Sequence, residues 1–541
     1  MKLITNCHLL IREVKKWFKN NKFEAFLLLI ILFISSIFRL YRIDEYMTFL
    51  GDEGRDAIIV RRLLVNFDPI LIGPGTSIGN MYLGPIYYYM IAPFLLIFNF
   101  SPVGPSVFVA LLGIATVFFV WFVIYEWFPS TSVKKGFLNV GALSAAGLYA
   151  VAPVVINLSR SSWNPNIMPF FSLLTIYSIW KFWGREKLAW LIVAFVSVAI
   201  ALQSHYLGLL LLPVVCFFWI LTLFGLLQVL NTSRRLLLKQ FINYSVFGFF
   251  SFLLLMLPLV IFDFRHNFIN FNAMKKFFLE RQTTVSIRPW TAFPKLPVIV
   301  SDSLTSLITA KNSALGKSLS LFLLVGIGFL IFYEVFYIKS RKIKFIDSLK
   351  PYTILIFWLA VSFLGLGLYK QHIYDHYYGF FFTAPFILMG GLGQWMIDKF
   401  KIIGTLLVFF VFSCLLLVNL QANPLKYPPN RQMQRAMVVA EKIKQEAKGK
   451  KFNLAVIAER NYEDGYQYFL EKWREPVYDI DPLNYESTLG YQLFVVCELP
   501  KKDCDPVHNP KTEIANFGWS EIEGEWEVAG VTLYKLIHSE R

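Results

Sequence analysis

Five carboxylates fall within one short stretch, Tyr41 to Ala57, which reads YRIDEYMTFLGDEGRDA: Asp44, Glu45, Asp52, Glu53 and Asp56. The stretch follows a long apolar run, so these acids lie at a water-facing rim if that run crosses a bilayer. A carboxylate held there can take a proton from a hydroxyl nucleophile as general base. Asp52 and Glu53, side by side in the turn-prone Gly51-Asp-Glu-Gly54, are the candidate catalytic pair. The same residues also fit a helix start, since DEGRDAIIVRRLL puts acids in a first turn, where the helix dipole favours them.

Cations that could hold a phosphate recur near the ends of other apolar runs: Arg55, Arg160, Arg265, Lys275, Lys276, Arg281 and Lys370. Guanidinium and ammonium groups are the natural partners of phosphate oxygens, and each also suits a lipid headgroup. The segment DFRHNFINFNAMKKF (263–277) interleaves aromatic rings with such cations. His205, His266, His372 and His376 fall at the same ends. His372 and His376 are four apart with Asp375 between them, a spacing that would suit a metal on a helix face. A loop histidine bonding a sugar or headgroup is the favoured reading, with no metal or other cofactor expected.

What must position these groups follows from composition. The chain has 541 residues, 56% hydrophobic and only 16% charged, whereas soluble domains carry about a quarter charged residues. Repeated apolar runs near the length of a bilayer span make it a polytopic α-helical membrane protein. The formal charge of +16 does not point to nucleic acid: residues 421–541 hold 16 Lys/Arg against 19 Asp/Glu, so the basic excess lies before them. That distribution fits cytoplasmic loops under the positive-inside rule. The basic N-terminal arm precedes an apolar run with no small-x-small cleavage site after it, which reads as an uncleaved anchor.

Twelve apolar segments lie near 25–40, 82–99, 105–127, 138–156, 166–180, 188–203, 206–228, 243–263, 317–338, 352–368, 378–396 and 403–420. If all twelve crossed, Lys134–Lys135 and the basic loops 181–187, 233–239 and 339–344 would lie outside, against the positive-inside rule. If 82–99 lies along the surface they return to the cytoplasm, and GNMYLGPIYYYMIAPF has the Tyr, Gly and Pro content of an interface. About eleven spans are therefore expected, with the N-terminus cytoplasmic and the C-terminus extracytoplasmic, in a membrane whose compact loops suggest a bacterial plasma membrane. The tail reads as a small α/β domain, with helices at 431–447 and 462–473 and strands at 452–458, 491–498 and 531–537. Cys497 and Cys504 could pair outside the cytoplasm or stay as free thiols. Domain boundaries of 1–420 and 421–541 are expected.

The order of an acidic pair after the first span, an amphipathic segment, and then GNMYLGPIYYYMIAPFLLIF resembles the GT-C glycosyltransferases. It is similar in particular to the branch of protein O-mannosyltransferases and aminoarabinose transferases. GDEG (51–54) and LGPIYYY (83–89), with Tyr87, match that branch's Asp-Glu pair and its Pro-Leu-Tyr-Tyr-like segment. LSRSSWNPNIMPF (158–170) resembles its second outer loop, and His376-Tyr377-Tyr378 its short aromatic loop. The resemblance implies a GT-C fold and inverting transfer of a sugar from a polyprenyl-phosphate donor to an acceptor hydroxyl or amine, in contact with membrane lipids. Asp52 would be the base, with Glu53 orienting the acceptor or supporting Asp52. Substrate contacts would come from Arg55, Tyr87, Arg160, Asn164, His205, Arg265, His266, Lys275, Lys370, His376 and Tyr378. The second loop departs from the branch, offering Arg160, Asn164 and Asn166 but no carboxylate; Asn164-Pro165 also serves as a plain chain turn. The alternative class is a flippase or transporter of lipid-linked glycans, which would place charged groups at the membrane midplane.

Overall fold

The computed structural model describes residues 16–76, 81–130, 138–228, 232–279, 284–337 and 342–539. Arg281 and the Lys134–Lys135 pair lie outside them. Among the described residues, seven helices are long and apolar enough to cross a membrane, and three shorter apolar helices accompany them. The first, α1 (Lys22–Leu40), is an almost unbroken apolar run ended by extended backbone at Tyr41. The last, Ala384–Gln421, is broken at Lys401, whose backbone takes φ 50° and ψ −114°. Helix length alone does not reach eleven spans. Residues 138–156 form Val140–Val151, then break at Ala152 and restart as Pro153–Leu158, because proline cannot continue the helical ladder. Residues 166–180 form the 12-residue helix Met168–Ile179, which runs into a π turn at Trp180–Gly184.

After a single helical turn at Ile43–Tyr46, the first loop carries two longer helices, α2 (Gly51–Asn66) and α3 (Ile86–Ile97). With 12 residues, α3 spans roughly 18 Å, short of the ~30 Å hydrocarbon layer. The helices near the first loop hold two buried ionisable groups that their apolar texture conceals. Arg39, in the last turn of α1, donates to Ser35 Oγ and to the carbonyls of Tyr149 and Ala150. Glu24 accepts from the Trp121 indole N–H at 3.1 Å. Both satisfy polar groups that would otherwise be stranded in an apolar interior.

The C-terminal unit is a four-stranded sheet in the order β1-β2-β4-β3 with helices on both faces. Its main elements are α4 (Gln432–Ala447), β1 (Phe452–Ile457), α5 (Asp464–Lys472), β2 (Gln492–Cys497), β3 (Ser520–Val528) and β4 (Val531–His538), with the short helix Thr512–Phe517 on the face opposite α4 and α5. β1 and β2 pair in parallel and are buried along their whole length, as their continuous apolar runs require. β3 was not expected. It is an exposed edge strand, SEIEGEWEV, and its alternating glutamates are the period-two signal that could have revealed it. Cys497 and Cys504 are joined in a disulfide.

The first loop and this unit share one core. Met47, Phe49, Ala57 and Ile58 pack in the same cluster as Val439, Phe452, Tyr468 and Leu470. Two glycines allow the approach. A Cβ on Gly51 would lie 2.5 Å from the Tyr462 ring, and one on Gly54 would lie 2.4 Å from the Asp464 carbonyl carbon. The pair read as a turn in GDEG is in fact a contact surface on a helix. Because the neighbour of Gly54 is backbone, it cannot swing aside. Gly54→Ala is expected to cost about 1–3 kcal/mol, read as a lower unfolding midpoint of the full chain in detergent.

Candidate functional site

Helix α2 divides the work of its acids by geometry. Leu50 is the extended residue before the helix, and Glu53 turns back so that its Oε2 accepts the Leu50 N–H at 3.0 Å. The helix-cap reading therefore holds for Glu53, which is 8% exposed and whose carboxyl burial pushes up to about 7. Asp52 faces the other way, with its side chain 41% exposed. Its Oδ1 accepts from Arg55 Nη1 at 2.8 Å and from the Tyr462 hydroxyl. Asp56, one turn on, is 1% exposed. Its Oδ1 accepts from Arg55 Nε and Nη2, at 3.0 and 2.7 Å, and from the Tyr88 hydroxyl at 3.1 Å. Its Oδ2 is buried without a partner. Burial pushes Asp56 to about 6 despite the adjoining guanidinium.

Arg55 is thus committed to two carboxylates, so its guanidinium is not an open phosphate clamp. Arg160 is committed as well. It is buried, and its terminal nitrogens donate to the carbonyls of Phe38, in the last turn of α1, and of Tyr41, just past its end, at 2.6 and 2.7 Å. It caps a helix whose last carbonyls lack partners. The Asn164 amide donates to the Ser204 carbonyl at 2.7 Å and ties two loops together. The buried hydroxyls of Tyr87, on α3, and Ser162 share a hydrogen bond of 2.7 Å.

A ring cluster stands beside the acids. His376 packs on Trp163, with centroids 4.5 Å apart, and on Tyr377 at 4.6 Å, and it feels the charge of Asp52. His205 lies 5.8 Å from His376 and 5.2 Å from Tyr377. Burial pushes His376 down to about 4 and His205 to about 3, so both are neutral imidazoles near pH 7. His372 precedes the short helix Asp375–Phe381 and packs on Tyr374, so it shares no helix face with His376. Tyr378 is buried against Phe381.

Beyond the rings lies a cavity of about 440 Å³, lined by His205 and Tyr377 together with apolar groups such as Leu83, Leu210, Phe277 and Leu366. Asp52 is not on its wall. Tyr369 and Phe277 are, and each has a cation beside it in the chain, Lys370 and Lys276 respectively. Arg265, His266 and Lys275 are exposed, with His266 stacked on Phe262. Sequence reasoning passed over Asn461, Tyr462, Tyr88 and Trp163. The glycines of GDEG, which make room for residues 462–465, were the available signal for Tyr462.

A family model described as dolichyl-phosphate-mannose-protein mannosyltransferase matches residues 83–262. No curated protein matches the chain. Among solved structures, ArnT from Cupriavidus metallidurans bound to undecaprenyl phosphate is similar, with a TM-score of 0.54 and 12% identity over 94% of this chain and 97% of that one. Its apo form gives 0.52 and 12% over the same shares. The archaeal oligosaccharyltransferase AglB from Archaeoglobus fulgidus, in complex with an inhibitory peptide and a dolichol-phosphate, gives 0.53 and 14% over 88% and 70%. At these identities the likeness is one of fold.

A carboxyl whose folded pKa lies above its unfolded value binds its proton more tightly when folded. Stability is then lost as pH rises from the unfolded value to the folded one. For Glu53 that window runs from 4.5 to about 7, and for Asp56 from 3.8 to about 6. The chain is therefore expected to unfold at lower temperature at pH 8 than at pH 5. Glu53→Gln should shrink that difference by ~2 kcal/mol, checked by unfolding at both pH values.

Proposed function

From a chain with the GT-C fold, we propose an inverting glycosyltransferase that moves a sugar from a polyprenyl-phosphate donor to an acceptor hydroxyl or amine outside the cytoplasm. The observation that carries this reading is the Asp52 carboxylate. It is the half-exposed acid of the first turn of α2, anchored on one oxygen and beside a ring cluster that lines an apolar cavity. A phosphate ester leaves without protonation once cations neutralise it, so the chain must supply a base and a positive rim rather than an acid. Asp52 takes the acceptor proton. Buried Glu53 fixes the helix start beneath it, and Arg55 holds Asp52 and Asp56 apart.

The apolar cavity suits the lipid part of a donor, and Lys370, Arg265, His266 and Lys275 are the cations and imidazole assigned to its phosphate. Neutral His376 and His205, with Trp163 and Tyr377, form a surface for a sugar, where ring faces and imidazole nitrogens meet both its C–H and O–H groups. Tyr87, Asn164 and Tyr378 shape the walls of that site. The Cys497–Cys504 disulfide supports an extracytoplasmic position for the C-terminal unit, and the cytoplasmic N-terminus follows from the basic arm.

The test uses the full chain in lipid nanodiscs with a panel of undecaprenyl-phosphate-linked hexoses, pentoses and amino sugars as donors and a serine/threonine peptide and an extract of envelope lipids as hydroxyl and amine acceptors, reading release of undecaprenyl phosphate. Asp52→Asn is expected to lower the rate about 10²–10⁴-fold while undecaprenyl phosphate still binds. Release at the unmodified rate from Asp52→Asn would remove Asp52 as base. Arg160→Lys should behave differently: a lower unfolding midpoint from the lost carbonyl bonds, with the donor KM unchanged.

A further inference from the structure

Asp52 sits on the open first turn of a helix, where a carboxylate held by one neighbour still rotates. Its second anchor comes from 410 residues further along the chain. The Tyr462 hydroxyl donates to Asp52 Oδ1, the oxygen that Arg55 also holds. Both bonds fall on one oxygen, so Oδ2 is left to meet a substrate proton. Asn461 sets the tyrosine. Its Oδ1 accepts from the N–H groups of Gly51 and Tyr462, each at 2.9 Å, and so caps the catalytic helix and the tyrosine's own backbone together. Its amide donates to Glu498 Oε1 at 2.6 Å, which also accepts the Tyr466 hydroxyl at 2.6 Å. Glu498 directly follows the last residue of β2, so the tether runs back to the centre of the sheet. The Tyr462 ring lies where any side chain at residue 51 would collide with it.

We propose that Tyr462, held by Asn461, is the positioning residue for Asp52, and that the C-terminal unit thereby completes the transferase site. The proposal rests on Asp52 as the base. Burial and the neighbouring acid push the phenol well above its ordinary range, so it stays a donor. A displacement of the base by about 1 Å is enough to cost ~10²-fold in rate, which is the scale the tether has to prevent.

A double-mutant cycle in the nanodisc assay, reading undecaprenyl phosphate release from the sugar donors, tests this. Tyr462→Phe keeps the ring and removes only the hydroxyl. It is expected to lower kcat about 10- to 100-fold with the donor KM and the unfolding midpoint unchanged. Gly51→Ala, which displaces the ring without removing a polar group, should give the same loss of kcat. In the Asp52→Asn background, Tyr462→Phe should cost nothing further, because it acts only through Asp52. Unmodified kcat in Tyr462→Phe alongside an inactive Asp52→Asn would overturn the positioning role and leave the base in place. A full additional loss in the double variant would also overturn it. An active Asp52→Asn would sink the base, and the positioning role with it.

Discussion

One guanidinium among three carboxylates governs this structure. Asp52, Glu53 and Asp56 fall within five consecutive positions, and only Arg55 lies between them as a counter-charge. Three acids this close cannot all be charged and buried. The fold resolves the conflict by treating each differently. Glu53 is turned into the helix start and favours its proton, Asp56 is buried against Arg55 and Tyr88, and Asp52 is left partly in water. A single helical turn thus yields one acid open to water and two that are drawn into the protein.

The rest of the bundle serves that turn. Arg160 closes the end of α1 by binding its last carbonyls, which fixes where the acidic stretch begins. The α3 helix brings Tyr88 to Asp56 and Tyr87 to Ser162. The ring cluster of Trp163, His205, His376 and Tyr377 joins three loops that are far apart in sequence. Its histidines are held neutral by burial, so the wall between Asp52 and the cavity adds no positive charge that would pair with the carboxylate.

Much of this was legible in the sequence, and the remainder was hidden for definite reasons. Apolar run length gave the long helices, and period-two and helical spacing gave most of the C-terminal unit. The membrane count was less legible because Pro153 breaks a run that composition alone reads as continuous, whereas the break at Lys401 falls between two segments already read apart. GDEG drew attention to the right stretch, but its glycines were read as marks of a turn when close approach is what they serve. Arg55 and Arg160 were assigned to phosphate by type. Type cannot reveal that a guanidinium is already engaged by carboxylates one or three residues away, or by carbonyls over a hundred residues distant. Tyr462 carried no local mark at all, since its partner is separated from it by most of the chain.

The shared core of the first loop and the C-terminal unit has a consequence for biosynthesis. A ribosome adding about 5–20 residues per second takes roughly 20–80 s to travel from Asp52 to Tyr462, a separation of 410 residues. Throughout that interval the acidic turn stands without Asn461, Tyr462 and the apolar side chains of the C-terminal unit. A nascent chain therefore places its early apolar helices while the surroundings of its acidic turn are still incomplete. Assembly of this corner of the molecule therefore waits until the segment around Tyr462 has been made.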